Sequence, residues 1–574
     1  MNFRTEIIQL LSKIPSLSEF DKEELDKLLS VPPNSQMGDY AFPCFKLGKN
    51  PKEEADKLKG LLEKKTKLPN FLQKITVAGP YLNFYISQKV IAEQTLTNIF
   101  EQKKEFGKQN IGKNKKVVID FSHPNIAKPF GIGHLRSTVI GNSLYKTFQI
   151  LGYQPVSVNH LGDWGTQFGK LITAYKRWGD EKELNKEPIK YLLKLYVKFH
   201  ELAEKDESLI EDARKEFKEL ELKNKTNLVL WESFKKLSLK EFKRIYDILD
   251  VDFDSYNGES FYVDQIEKTM TYLEKKVPIT LSDGALIVDL EAYKMPPVLL
   301  KKSNGSTTYH TRDFAAALYR LNHYKPCKLI YVVGSEQKLH FKQLFKVLHL
   351  AGKDENKFVH VDFGLFKFPE GKMSTRKGNV IFLEDVLNKS IKLAEDIIQK
   401  KNPNLKNKTK IAKMVGVGAV IFSDLSNERT RNINFDWDRM LSFEGETAPY
   451  LQYTHARSCS ILRKAKKEHK INLTEKLVKD INFNLYESDE ELNLIKHLEK
   501  YPEILVRVSE SYKPHHLAMY LITLAQKFNE FYHKHPVISD REKQMKARLL
   551  LVNSVRQVLE NGLGLLGIKA PDEM

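Results

Sequence analysis

The sequence predicts an α/β core built on a parallel sheet and split by a long insertion, with an α+β domain before it and an all-helical bundle after it. Three observations predict this. The runs VVIDFS (117–122), PVSVNHLG (155–162) and CKLIYVVG (327–334) carry the hydrophobicity of strands buried in a parallel sheet. Helical spacing follows the first and third of them, which is βα order. From about Val386 to the end the pattern is almost wholly helical. A chain of 574 residues exceeds one ordinary hydrophobic core, so several domains are expected.

Taken in order, residues 1–32 space their apolar side chains as two amphipathic helices, ended by Pro32 and Pro33. NSQMGDYAFPCF (34–45) reads as a turn entering a strand, Lys52 to Lys64 as a helix, and GPYLNFYIS (79–87) as a strand entered by Gly79-Pro80. Residues 101–116 have a lysine-rich linker composition. The first buried strand then leads through a Pro- and Gly-punctuated loop (123–133) into a helix from about His134 to Leu151. Residues 165–280 read as charged helices, and VPITLSDGALIVDL (277–290) as a hairpin around Asp283-Gly284. Next come the strand at 327–334, a helix from near Lys338, and a further strand at 357–366. LITLAQKFNEFY (521–532) sets Leu521, Leu524, Ala525, Phe528, Phe531 and Tyr532 on one helical face. The divisions are 1–110, 111–385 with the insertion at about 170–290, 386–440, and 441–574.

Composition narrows the functional classes. Apolar residues make up 41 % and charged residues 29 %, which suits a soluble globular chain and not a disordered one. Lys plus Arg is 92 and Asp plus Glu is 74, a net charge of +18. That excess fits a polyanionic partner such as nucleic acid, or a lysine-rich surface; composition alone does not separate them. Cys44, Cys327 and Cys459 are too scattered for a disulfide framework or a metal knuckle, so a reducing cytoplasm is expected and zinc is not. No run approaches the ~18 apolar residues that a membrane span needs.

Two segments are dense in chemistry. In HPNIAKPFGIGHLRSTVIGNS (123–143), Gly131, Gly133 and His134 lie between a strand and a helix. Glycine there admits a ligand close to the backbone, and the helix start offers N–H groups to an anion. The spacing is neither a dinucleotide fingerprint nor a Walker loop. In FPEGKMSTRKGNVIFLEDVL (368–387), Lys372, Arg376 and Lys377 crowd around Ser374 and Thr375, a basic loop suited to polyphosphate. Taken singly, each has a bland alternative: a capping histidine and a solvated basic turn.

In this order the two segments resemble the nucleotide-binding signatures of class I aminoacyl-tRNA synthetases. FSHPNIAKPFGIGHLRSTVIGNSL, VNHLGDWGTQFGKLI, TTYHTRDFAAALYR, YVVGSEQKLHFKQLF, GKMSTRKGNVIFLEDVL and LQYTHARSCSILRK are similar to arginyl-tRNA synthetases, as are MGDYAFP, GPYLNFY, FNEFYH and GLLGIKAPDEM. The resemblance covers nearly the whole chain. It implies a Rossmann-like catalytic domain with an insertion, a helical stem-contacting region, a helical anticodon-binding domain, and an N-terminal tRNA-binding module.

The resemblance also implies roles. ATP would be a substrate, bound by Gly131, Gly133, His134, Lys372, Met373 and Ser374, with Mg²⁺ carried on its phosphates. Lys128, His134, Lys372 and Arg376 would serve catalysis. Gly131 stands where the first signature usually has a histidine, and Thr375 where the second usually has a lysine, so Lys128 is expected to compensate. Arginine would be held by Asp120, Asn125, His160, Tyr309, Asp313 and Gln337. Tyr450, Tyr453, Arg457, Arg463, Tyr532 and Met574 would face the anticodon, and Tyr40, Phe42 and Asn83 the tRNA corner. For each, a packing or turn role is the plain alternative. The family expectation is a monomer whose activation of arginine requires bound tRNA. A catalytically weak or silent tRNA-binding paralogue is the alternative that the altered Gly131 and Thr375 positions suggest.

Overall fold

The structure is a computed structural model that describes residues 3–65, 68–367, 381–434 and 436–574. The chain divides into two compact units.

The first unit runs up to Phe106 and also takes in Arg457–Tyr501 and Leu524–Val558. It begins with α1 (Phe3–Leu11) and α2 (Lys22–Leu28). Asp21 caps α2 in a capping box with Glu24, which satisfies two amides at the helix start. After β1 (Tyr40–Pro43) and α3 (Pro51–Lys65) come β2 (Leu72–Ala78), β3 (Tyr81–Ile86) and α4 (Gln88–Gln102). The strands form an antiparallel sheet in the order β1-β3-β2, with Phe42 opposite Leu82 and Ile75 opposite Phe84. Phe42, Leu82 and Phe84 are fully buried, so one face of this sheet is core. β2 was not expected from the sequence. Its LQKITVA pattern leaves only Leu72 and Ile75 buried, too few for a clear period of two.

The second unit spans Gly107–Ala456, Pro502–Thr523 and Leu559–Met574. β4 (Lys116–Asp120), α5 (Gly133–Ile150) and β5 (Gln154–Val158) form the first βαβ turn. The insertion follows: α6 (Thr166–Trp178), α7 (Glu181–Lys186), α8 (Pro188–Ala203), α9 (Ser208–Glu221), α10 (Lys225–Leu249) and α11 (Ile266–Glu274). Its end is an antiparallel sheet of β6 (Ile279–Ser282), β7 (Ala285–Val288) and β8 (Val298–Lys301). The first two are the expected hairpin; the third strand adds an edge that the sequence did not announce. Then come α12 (Tyr309–Tyr324), β9 (Lys328–Gly334), α13 (Lys338–Leu350) and β10 (Phe358–Phe363).

The main sheet is wholly parallel, in the order β10-β9-β4-β5. Val117, Val118, Ile119, Leu329, Ile330 and Val332 are fully buried, as strands covered on both faces require. The connection from β4 runs to β5 on one side, and β9 joins β4 on the other. A crevice therefore opens at the carboxyl ends of β4 and β9, where open α/β sheets take ligands.

Beyond β10, the short β11 (Phe366–Lys367) pairs with β12 (Ile433–Asn434) around α14 (Leu383–Lys401) and α15 (Lys408–Leu425). The remainder is helical: α16 (Trp437–Met440), α17 (Ala448–Glu468), α18 (Glu475–Lys479), α19 (Asp489–Glu499), α20 (Tyr501–Ser511), α21 (His515–Lys534) and α22 (Glu542–Leu565). Among the described residues, no helix is long and apolar enough to cross a membrane.

Candidate functional site

The loop between β4 and α5 is held in an unusual backbone shape. Ser122, His123 and Ala127 have φ of 82°, 53° and 59°, a region L-residues disfavour. Such positions cost on the order of 1–3 kcal/mol each and persist where neighbours over-determine them. Here hydroxyl groups do so. The Ser122 amide donates to Ser137 Oγ at 2.8 Å, and Ser137 Oγ donates to Val332 O at 2.6 Å. Ser122 Oγ lies 2.7 Å from Tyr246 Oη and 2.9 Å from Thr138 Oγ1. The Ala127 amide donates to Ser238 Oγ at 2.8 Å. The bracing thus comes from α5 on one side and from the inserted α10 on the other.

The loop ends at Gly131, which makes an antiparallel bridge with Phe382. The Ile132 amide donates to Ile381 O at 3.1 Å, and the Leu383 amide to Phe130 O at 2.9 Å. Lys372, Met373, Ser374 and Arg376 lie outside the described residues, but the chain on both sides of their segment is fixed. After it, residues 381–383 are stapled to the first loop. Before it, the fully buried Arg136 of α5 donates to Gly364 O at 2.7 Å, to Arg431 O at 2.8 Å and to Arg429 O at 3.1 Å, while pairing with Asp424 at 3.1 Å. Both approaches to the basic segment therefore meet the first turns of α5.

At that helix start, a methyl group on Gly133 would meet nothing within 4 Å among the described residues. Packing against the described residues does not demand glycine there, and the open space suits an incoming ligand. His134 turns Nδ1 toward Gly131 O at 3.2 Å. Burial pushes its imidazole down to about 4, with the charges of His123 and Lys128 adding to the effect. The ammonium of Lys128 sits over the Tyr196 ring, 5.3 Å from its centroid.

Next to the loop, at the carboxyl ends of β4, β5 and β9, lies a cavity of about 540 Å³. It gathers every residue the sequence assigned to arginine: Asp120, Asn125, His160, Tyr309, Asp313 and Gln337. They come from four separate stretches of chain. Asn125 is seated by a parallel bridge to Gly162. Glycine is required at 162, because a Cβ there would stand 2.9 Å from Asn125 Cγ and overlap Oδ1.

Asp120 is engaged from two sides. Arg320 Nη1 donates to Oδ2 at 2.6 Å, and His123 Nε2 lies 2.8 Å from Oδ1. Burial pushes this carboxyl up, but Arg320, His123 and His160 overcome it and hold it well below the usual carboxylate range. The Nη2 of Arg320 lies 3.1 Å from His160 Nδ1. A guanidinium cannot accept, so Nδ1 accepts and the His160 proton sits on Nε2. That Nε2 is enclosed without a partner among the described residues. Burial, then Arg320, push His160 down to about 4, so the ring is neutral at pH 7.

Several groups in the cavity wall, His123 and His340 among them, were missed by sequence reasoning. Glu259 and Glu336 line the cavity with Asp313, and Arg320 sits in its floor. Burial pushes Glu259 up to about 7, helped by Asp313 and Asp163 and opposed by Arg312, which pairs with it at 3.1 Å. Only the fold reveals these groups: Glu259 opens a short 3-10 helix (Glu259–Gln265), and Arg320 reads in sequence as one more charge on an amphipathic helix.

The expected tRNA contacts divide. Tyr453 is exposed and Tyr450 half-buried on α17. Arg457 donates to Asn529 Oδ1 at 2.9 Å and lies over the Tyr532 ring at 5.5 Å, so these two are brought together. Arg463 is exposed. The Met574 carbonyl accepts from Asn402 Nδ2 at 3.4 Å. The N-terminal expectation needs correcting. Phe42 is fully buried, Asn83 is 4 % exposed and Tyr40 9 %, so these side chains belong to the interior of the first unit and offer tRNA little surface.

Comparison with known proteins adds three family matches. Residues 95–437 match the class I (R) tRNA synthetase catalytic domain, 451–574 the DALR anticodon binding domain, and 1–86 the arginyl tRNA synthetase N-terminal domain. The arginine–tRNA ligase of Halothermothrix orenii is 46 % identical over 575 residues, covering all of both chains. That of Clostridioides difficile is 46 % identical over 566 residues, covering 98 % of each. The solved Plasmodium falciparum arginyl-tRNA synthetase superposes with a TM-score of 0.77 at 26 % identity, covering 99 % of this chain and 98 % of that one. The Thermus thermophilus arginyl-tRNA synthetase has the same fold, with a TM-score of 0.80 at 24 % identity over the whole of both chains.

Proposed function

The chain belongs to the arginyl-tRNA synthetase family, and from that premise we propose which of its residues carry the reaction. The enzyme is an arginine–tRNA ligase: ATP, L-arginine and tRNA are its partners. In the first step the arginine carboxylate attacks the α-phosphorus of ATP, giving arginyl-adenylate and pyrophosphate. In the second, the terminal adenosine hydroxyl of tRNA attacks the activated carbonyl and AMP leaves. Neither step needs a nucleophile from the protein, so catalysis is positioning and charge stabilisation.

The guanidinium of arginine is planar and permanently charged, and it calls for carboxylates in fixed positions. Asp313, with Glu259 beside it, supplies them, and Tyr309 and Gln337 border the same wall. Asp120 acts through Arg320 and His160 and not on the guanidinium directly. Asn125 meets the amino-acid end near the first loop. ATP lies over Gly133 and His134, with Lys128 on one side. Lys372 and Arg376 reach the phosphates from the basic segment, with Met373 and Ser374 beside them. Mg²⁺ accompanies the nucleotide through phosphate and water oxygens. Tyr453, Arg457, Arg463 and Tyr532 meet the anticodon arm as stacking and cationic groups.

One observation supports this reading above the rest: the bridge from Gly131 to Phe382 ties the first loop, which borders the acid-lined cavity, to the chain that directly follows the basic segment. The test is aminoacylation by the purified full chain with total tRNA and amino acids supplied singly. Arginine is loaded only with ATP, and arginine-dependent pyrophosphate exchange stays near background until tRNA is added. Loading of lysine or glutamate in place of arginine would refute the pocket assignment. Strong exchange without tRNA would refute the tRNA requirement.

A further inference from the structure

The sequence assigned His340 no role, yet it stands in the cavity wall. It lies in the first turn of α13 and is 7 % exposed. Its Nε2 is 2.8 Å from Asp313 Oδ2 on α12. An ionised carboxylate only accepts, so Nε2 carries the proton and donates. The ring is also fixed by its neighbours. His310 lies 4.5 Å and Tyr309 5.1 Å from it, centroid to centroid, and Phe341 meets it edge-on at 5.3 Å. Asp313 itself is 30 % exposed, and among the described residues its second oxygen, Oδ1, has no partner.

An aspartate carboxylate rotates broadly about its last bond. A guanidinium fork reads a carboxylate well only when the two planes agree. Fixing one oxygen therefore fixes how the other is presented. We propose that His340 is a specificity-determining positioning residue: by donating to Asp313 Oδ2 it sets the plane of that carboxylate for edge-on pairing with the guanidinium of bound arginine. The proposal rests on the assignment of Asp313 to the guanidinium.

Kinetics of aminoacylation by the full chain, with arginine and ATP varied separately, test both statements apart. Asp313→Asn raises the KM for arginine; an unchanged KM overturns the pocket assignment and this inference with it. His340→Phe keeps a ring but removes the donor, and raises the arginine KM about tenfold, the loss of one charge-assisted hydrogen bond, with the ATP KM within about twofold. His340→Gln, whose amide reaches a similar position, recovers most of that loss. In the Asp313→Asn background, His340→Phe adds less than about threefold, because the two residues act as one unit. Full additivity, a glutamine no better than phenylalanine, or an equal rise in the ATP KM would overturn the inference while leaving the pocket assignment standing. If His340→Phe fails to fold, the comparison of His340→Gln with the shorter His340→Asn decides in the same way: only asparagine raises the arginine KM.

Discussion

Replacing Arg320 with methionine tests the floor of the cavity most directly. The guanidinium is 1 % exposed and makes a 2.6 Å contact with Asp120, which is itself buried. Methionine keeps the volume but leaves a buried carboxylate with His123 as its remaining partner. Removing one member of a buried pair costs about 3–5 kcal/mol. Against a urea dependence of about 3 kcal/mol per molar, that is a midpoint shift of about 1 M or more. All four tryptophans, Trp164, Trp178, Trp231 and Trp437, lie in the unit that contains the cavity, so intrinsic fluorescence reports its unfolding. The sign with pH is fixed. A carboxyl held below its unfolded value contributes stability above about pH 4, and that contribution is lost as the pH falls through the folded value. Wild type therefore leads the variant most above pH 5, and the gap narrows toward pH 4 as the unpaired Asp120 takes up a proton. The double variant Asp120→Asn with Arg320→Met regains most of the loss. A single variant within ~0.3 M of wild type, on the same urea slope, would refute the reasoning. So would a double variant no more stable than the single one.

Three other outcomes are expected. Glu259 stands at about 7 in the empty cavity, raised first by burial. An entering guanidinium favours its charged form, so arginine binding releases a proton and the arginine KM rises as pH falls below about 7; Glu259→Gln flattens that profile. Gly162→Ala drives a methyl into the Asn125 amide, costing about 1–3 kcal/mol by overpacking and raising the arginine KM more than the ATP KM. Lys128→Ala lowers the rate of tRNA-dependent pyrophosphate exchange far more than it weakens ATP binding, and an unchanged rate would remove the role assigned to that ammonium.

Much of this architecture is written locally in the sequence. β4 and β9 are the two central strands, whose apolar runs are buried in the sheet, so unbroken hydrophobicity marks them. α5 starts at the second glycine of Gly131-Ile132-Gly133, and Asn125, Tyr309, Asp313 and Gln337 fall within short motif strings. What was not legible depends on contacts far apart in the chain. His340 meets a carboxylate 27 positions away, Arg320 one 200 positions away, and Arg136 one 288 positions away. Charged residues on amphipathic helices read as solvent-facing, and nothing nearby says that these three point inward. The reverse error occurred at Phe42 and Asn83. Their strand was visible, but which of its faces is covered is settled by β2 and the neighbouring helices, and β2 has too weak an alternation to be seen.

The hydroxyl bracing of the β4–α5 loop bears on how this protein can be dissected. A minimal catalytic fragment, made by joining β5 to α12 and discarding the elements inserted between them, would preserve the parallel sheet. It would also delete Ser238 and Tyr246, which hold Ala127 and Ser122 in their left-handed conformations. Freed of them, the loop would relax toward ordinary backbone angles, and the nucleotide cradle would have to be re-formed by each incoming ligand. Such a fragment would bind ATP weakly and slowly. On the proposed assignment of ATP to this loop, the insertion supports the nucleotide site, and miniaturised versions of the enzyme need substitute supports at those two positions.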